Sequence, residues 1–195
     1  PMEGLHEVRV NRSDIFYTDA AGNFLIQGKL IDTKAQEDLT EKRLAKLTGG
    51  LDKDGNLVGL HIRISGQSIL ASLLPQNLQN GMDPVVFQGL MASGVEAAYG
   101  YNVPNLLIDH AMRNSHITAG FWRGVNTYQN AVYMESFMDE LADAAGQDPL
   151  AFRMKLLKPK WAAVLKAAAD KAGYGKPLPA GHFHGLAQVM GYGSY

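Results

Sequence analysis

Apolar and polar residues alternate along the start of the chain. Leu5, Val8 and Val10 stand among polar neighbours, residues 14–18 (DIFYT) form a short β-prone run, and residues 24–26 (FLI) resume an apolar strand. Between them residues 19–22 (DAAG) offer a turn, with Gly22 able to supply a positive φ. Residues 1–32 therefore predict a β-hairpin. From residue 37 to 47 the period lengthens. Leu39, Leu44 and Leu47 recur at helical spacing behind Asp38 or Thr40 as a cap, and predict a helix. Residues 48–50 (TGG) break that pattern and predict a boundary.

A second β segment follows. Residues 51–55 (LDKDG) read as a turn, and Leu57, Val58, Leu60, Ile62 and Ile64 as a partly alternating strand. Leu60, Ile62 and Ile64 share one face because strand side chains alternate. Residues 66–84, with their Gly, Pro, Asn and Gln, predict an irregular excursion. Residues 85–98 predict a short helix weakened by Gly89 and Gly94. Pro104 opens a further strand over residues 105–109. Then helical periodicity takes over. From Gln129 to Ala145, Val132, Met134, Phe137, Met138, Leu141 and Ala145 fall largely on one face, Glu135, Asp139, Glu140 and Asp143 elsewhere, and Gly146 is a C-terminal stop. Asp148 caps a second helix, with Pro149 at its first position, running to about Leu157. Pro159 opens a third, Ala-rich helix that ends at Gly173, and residues 175–187 read as loop turning into strand. These elements predict an α+β chain. A small strand-rich N-terminal module, residues 1–48, precedes a mixed α/β segment, residues 49–195.

Composition narrows the chemistry. The 195 residues have room for one large domain or two small ones, and 46% hydrophobic with 19% charged residues is a globular balance. A net charge of -1 gives no overall basic surface for nucleic acid or an anionic membrane. The absence of cysteine removes disulfides, thiol redox chemistry and Cys-ligated zinc or iron–sulfur centres. No run of about 18 apolar residues predicts a membrane span. Pro1-Met2 opens no signal peptide, and the start reads as the interior of a longer protein.

The sharpest candidate is the segment FWRGVN at residues 121–126. Glycine beside arginine lets backbone N–H groups approach a ligand while the guanidinium supplies forked donors. Placed before a helix, such a loop suits a phosphate or oxyanion, since helix N-termini favour negative charge. The alternative is a structural turn in which Arg123 pairs with a carboxylate. His182 and His184 lack a third ligand nearby in sequence and read as a surface pair, not a metal site. The four acids of the first long helix read as its solvated face. Residues 52–55 (DKDG) lack the later ligands of a calcium loop and read as a hairpin turn. No dinucleotide fingerprint, phosphate-binding Gly-Lys-Ser loop or nucleophile elbow is present.

Several stretches resemble the molybdopterin-binding large subunit of the xanthine dehydrogenase superfamily, in its isoquinoline 1-oxidoreductase β-subunit and aldehyde dehydrogenase branch. They are LDKDGNLVG (51–59), GQSI (66–69), YNVPNL (101–106), the long WRGVNTYQNAVYMESFMDELADAAGQDPLAFRMKLL (122–157), and residues 160–187. The resemblance implies that Trp122, Arg123 and Gly124 lie against a molybdenum–pterin cofactor, with Gln129 at the family's glutamine after the loop. It implies oxidation of aldehydes or hydroxylation of N-heterocycles, a cytosine dinucleotide form of molybdopterin, and a separate iron–sulfur subunit that takes the electrons. The family's catalytic glutamate and its other Gly-rich cofactor loops have no match in this sequence. No catalytic residue is therefore assigned, and the chain alone is expected not to be catalytic and to bind the cofactor weakly or not at all.

Residues 1–48 resemble instead the N-terminal dimerisation module of the periplasmic disulfide isomerases, through EVRV (7–10), IFYTDAAGNFLIQGKLID (15–32) and DLTEKRLAKL (38–47). That resemblance implies strand-mediated homodimerisation through residues 1–48 and a periplasmic location. The isomerase thioredoxin-like domain has no counterpart here. The chain thus reads as two family segments joined near Thr48, either a partial molybdenum hydroxylase large subunit or a non-catalytic assembly module carrying a passenger segment.

Overall fold

The first strands hold the alternating residues of the N-terminal segment. A computed structural model describes residues 45–90, 99–191 and 194, together with the strand backbones of residues 5–10, 14–19, 25–27, 31–32 and 37–38. Strands β1 (Leu5–Val10), β2 (Asp14–Asp19) and β3 (Leu25–Gln27) form an antiparallel sheet in the order β1-β2-β3. Its register pairs Val8 with Phe16 and Tyr17 with Ile26. Strands β4 (Ile31–Asp32) and β5 (Glu37–Asp38) pair separately. The predicted β character of residues 1–32 is present, while the turn at residues 20–22 lies outside the described residues.

The helix predicted for residues 37–47 is not what forms. Glu37 and Asp38 are in β5, and residues 45–47 open β6 (Ala45–Leu51); residues 39–44 lie outside the described residues. The winning period is two. Ala45, Leu47, Gly49 and Leu51 are half-buried and alternate with exposed Lys46, Thr48 and Gly50. The glycines read in sequence as a break are strand residues. A Cβ on Gly49 would lie 2.6 Å from Leu141 Cδ2, so the strand position suits glycine because the Leu141 side chain, from the helix over residues 127–144, packs directly over it.

β6 turns into β7 (Leu57–Gly66) through the predicted hairpin. Asp52 Oδ1 accepts from the Asp54 and Asn56 N–H groups at 2.9 Å each, Asn56 Nδ2 donates to Asp52 Oδ2 at 3.0 Å, and Gly55 takes φ 74°. These donors hold the Asp52 carboxyl below its ordinary pKa, the Asn56 N–H foremost. Leu60, Ile62 and Ile64 are buried along β7, as the alternation predicted. β8 (Asn105–Met112) extends the expected strand and completes a sheet in the order β6-β7-β8. The predicted helix over residues 85–98 is replaced at its start by a 3-10 turn, Pro84–Phe87, because Gly89 (φ 86°) turns the backbone out of helical geometry; residues 91–98 lie outside the described residues.

The chain divides into two compact units, residues 1–46, 62–86 and 109–121, and residues 47–61, 87–108 and 122–195. In the first, the short helix α1 (Ile69–Leu73) is capped by Ser68, whose Oγ accepts from Ala71 N–H. Ser68 also donates to buried Asp83 at 2.7 Å, which fixes the irregular excursion internally.

The second unit holds the helices. α2 (Thr127–Ala144) buries Asn130, Met134, Glu135, Met138, Leu141 and Ala142, a helical stripe. It ends in a Schellman motif. Gly146 (φ 63°) donates to Asp143 O and Gln147 N–H to Ala142 O, both at 2.9 Å. α3 (Pro149–Leu156) starts as predicted, with Asp148 Oδ1 accepting from Ala151 N–H at 2.9 Å. α4 (Pro159–Ala172) buries Trp161, Leu165 and Ala169 and ends at left-handed Gly173. Trp161 lies across Gly100, where a Cβ would be 2.5 Å from the ring. Residues 175–190 contain no strand, contrary to expectation. Pro177 and Pro179 cannot donate to a ladder, Gly181 turns at φ 81°, and Gln188 spends its N–H on a side chain.

Candidate functional site

Two consecutive left-handed residues, Gly124 (φ 82°) and Val125 (φ 44°), make the bend before α2. Glycine accepts that geometry freely, whereas a β-branched residue does not. Val125 N–H donates to Trp122 O at 2.9 Å and Thr127 N–H to Gly124 O at 2.8 Å, which closes the bend on itself. The bend projects Trp122 outward, 80% exposed, and the Tyr128 ring lies 3.3 Å from where a Gly124 Cβ would be. Arg123 is exposed, and among the described residues it has no hydrogen bond or ion pair. The alternative drawn from sequence, an Arg123–carboxylate turn, is therefore not seen. Gln129 sits in the first turn of α2, and its Nε2 donates to Asn126 Oδ1 at 2.7 Å. Its amide donor is engaged with the helix start, and its carbonyl oxygen is left as an acceptor.

Chemically, the bend combines an uncommitted guanidinium, an exposed indole and a backbone that turns sharply at glycine. Five forked N–H donors match phosphate or oxyanion oxygens, and the indole face suits a planar ring. The arrangement fits a group that is both anionic and planar, as a pterin phosphate is. A groove of about 660 Å³ elsewhere in this unit, lined by Gly49, Gly50, Gly59, His61, Asn105 and Leu107 among others, includes none of these residues.

The acidic face of α2 departs from expectation. Glu140 and Asp143 are exposed, but Glu135 is buried at 4% exposure and Val132, expected in the core, is 60% exposed. Glu135 Oε1 accepts from Tyr101 Oη at 2.7 Å, and Oε2 accepts from Arg153 Nε at 3.1 Å and Gln188 N–H at 3.0 Å. Arg153 Nη1 also donates to Asp139 at 2.6 Å and Pro149 O at 3.2 Å, and Nη2 to Glu135 O at 2.8 Å and Leu186 O at 3.4 Å. Burial pushes the Glu135 carboxyl up, and the Arg153 guanidinium with the Tyr101 and Gln188 donors pulls it only part of the way back. Burial works against the Arg153 charge, but nearby Tyr101, Asp139 and Glu135 outweigh it and hold the guanidinium above its ordinary range. This network is structural. It ties α2, α3 and residues 186–188 together with every donor of Arg153 used. The sequence signal for it was positional: Glu135 lies three residues before Met138 and seven before Ala142, both at 0% exposure.

His182 is exposed and His184 is half-buried with its ring 5.6 Å from that of Tyr174. Among the described residues no helix is long and apolar enough to cross a membrane.

Comparison with known proteins finds two families. The model of the molybdopterin cofactor-binding domain matches residues 36–157, and that of the disulfide bond isomerase N-terminal domain matches residues 1–41. One subunit of the nicotinate dehydrogenase of Pseudomonas putida is 30% identical over 146 residues, 72% of this chain and 12% of that protein. The beta subunit of the isoquinoline 1-oxidoreductase of Brevundimonas diminuta is 29% identical over 149 residues, 74% of this chain and 18% of that protein. The chain thus spans under a fifth of either curated relative. Among solved structures, the aldehyde oxidoreductase of Desulfovibrio gigas is similar with a TM-score of 0.40 and 22% identity, over 67% of this chain and 16% of that one.

Proposed function

We propose that this chain, which belongs to the molybdopterin cofactor-binding domain family, supplies one cofactor-facing bend of a molybdenum hydroxylase large subunit. The observation that supports this reading is exposed Arg123, unpaired among the described residues, beside exposed Trp122 on a left-handed turn. In this reading Arg123 holds the phosphate of the pterin cofactor, Trp122 and Gly124 lie along it, and Gln129 offers its carbonyl oxygen. The cofactor, when bound, supplies the oxidising centre for hydroxylation of N-heterocycles or oxidation of aldehydes. The chain's own part is to bind and orient that group. A cofactor held by several distant segments is not held well by one, so the chain alone is not catalytic. The form with a cytosine dinucleotide and an iron–sulfur electron-transfer subunit complete the proposed enzyme. The relatives are themselves named as subunits.

Expression in a host that makes the molybdenum cofactor, followed by metal and pterin analysis of the purified chain, tests this. Sub-stoichiometric pterin that falls on Arg123→Ala is expected. Stoichiometric molybdenum with hydroxylase activity contradicts the proposed incompetence, and pterin content indifferent to Arg123 contradicts the contact.

The match of residues 1–41 to the isomerase N-terminal domain supports a second reading for that end of the chain. Residues 1–48 act as a homodimerisation module preceding residues 49–195, in a periplasmic protein. Light scattering across concentration checks it. A monomer that is unchanged by deletion of residues 1–48 contradicts it.

A further inference from the structure

The bend that presents Arg123 does not rest on its own residues alone. Its left-handed pair includes Val125, a β-branched residue in a region such side chains avoid, and a conformation of that kind persists only where neighbours impose it. The residue that follows, Asn126, takes right-handed geometry as the N-cap of α2, yet its own side chain makes no capping bond. The holding contacts come from residues 88–89, far back in sequence. Gln88 Oε1 accepts the Asn126 N–H at 3.3 Å, and Asn130 Nδ2 donates to Gln88 O at 2.8 Å. Asn130 is 1% exposed, so its amide is fixed in the core. Gly89 then turns at φ 86°, and a Cβ there would lie 3.4 Å from Thr127 O and 3.8 Å from Asn130 Cβ. The two segments are therefore joined in both directions, by a backbone N–H to a side chain and by a side chain to a backbone carbonyl. All of these residues belong to one compact unit.

We infer that Gln88 and Asn130 are positioning residues, a clamp that fixes the first turn of α2 and so imposes the left-handed Gly124–Val125 bend from which Trp122 and Arg123 project. The clamp exists whatever the bend binds; its use in orienting a cofactor rests on the function proposed above. Gln88 is only half-buried, so truncating its side chain leaves the Asn130–Gln88 carbonyl bond and the packing intact. That separates positioning from folding.

Residue-resolved amide exchange on the 195-residue chain tests the clamp. In Gln88→Ala the Asn126 amide should exchange about tenfold faster while Met134 to Ala142 exchange as in the wild type. Gln88→Glu, which keeps an acceptor oxygen, should restore slow exchange. Replacing Val125 by glycine removes the need for imposed geometry, so in that background Gln88→Ala should still speed exchange at Asn126, which loses its acceptor, but leave the Thr127 amide, bonded to Gly124 O, unchanged. Unchanged Asn126 exchange in Gln88→Ala, or equal acceleration along the whole of α2, overturns the clamp. Its role in orientation is read separately, by quenching of Trp122 emission with molybdopterin released anaerobically from a purified molybdoenzyme, in a Trp161→Phe background. Gln88→Ala should weaken saturable quenching about threefold. A loosened bend with unaltered affinity overturns the positioning role. A wild type that shows no saturable quenching overturns the cofactor reading, and the exchange data still decide the clamp.

Discussion

Arg153 donates from Nε to Glu135 Oε2 at 3.1 Å, with the Arg153 side chain 0% and the Glu135 side chain 5% exposed. The pair joins α3 to α2, and the remaining Arg153 donors reach Asp139, the Pro149 carbonyl of its own helix, the Leu186 carbonyl and the Glu135 backbone carbonyl. Burial of both charges costs desolvation, so each is tolerable only while the other is in place.

Replacing Arg153 by methionine should therefore destabilise the chain by about 3–5 kcal/mol near neutral pH. Glu135 already sits above the usual carboxylate range and would rise further without its cation. Acidification through that raised value neutralises the stranded carboxylate, so the penalty should shrink in mildly acidic buffer. Urea unfolding of wild type and variant at the two pH values measures this. A penalty that does not change with pH contradicts it.

Gly49→Ala should cost about 1–3 kcal/mol, because its Cβ would meet Leu141 Cδ2 at 2.6 Å in packed core. Combined with Leu141→Ala it should cost less than the sum of the two single changes, since the clash then has no partner. Denaturant midpoints of the four proteins in the cycle provide the check. Additive losses would contradict the clash between position 49 and Leu141.

Tyr99 and Tyr101 should resist alkaline titration. Burial raises both phenols above their ordinary pKa of 10.0, and the Glu135 carboxylate adds to it. Folded-state values above the unfolded one mean that this stability is complete below pH 10.0 and declines as pH climbs toward the folded values. Phenolate absorbance should show two of the eight tyrosines ionising only with the loss of the fold. Ionisation of all eight before unfolding contradicts the burial of this pair.

Helices α2, α3 and α4 were legible because their punctuation is local. Asp148 with Pro149 starts one, and Gly146 and Gly173 end the others in left-handed geometry. Strand β6 was not, because Leu44 and Leu47 also fit a helical period and glycine carries no pattern. What decides Gly49 is Leu141, distant in sequence and adjacent in space. The bend at Trp122–Arg123–Gly124 could be read from residue type, but the Gln88 and Asn130 contacts beside it could not, since neither residue forms a motif. Glu135 went to the wrong side of α2 because a carboxylate on a helix is ordinarily solvated, and only the arrival of Arg153 from α3 makes its burial tolerable.

The contact between Arg123 and an anionic pterin is tested most directly by titrating anaerobically released molybdopterin into the Trp161→Phe chain, where Trp122 is the remaining one of two tryptophans. Saturable quenching of Trp122 that weakens about tenfold, or about 1.4 kcal/mol, in Arg123→Ala is the predicted result. Equal quenching with and without the Arg123 guanidinium, or none that saturates, would contradict it.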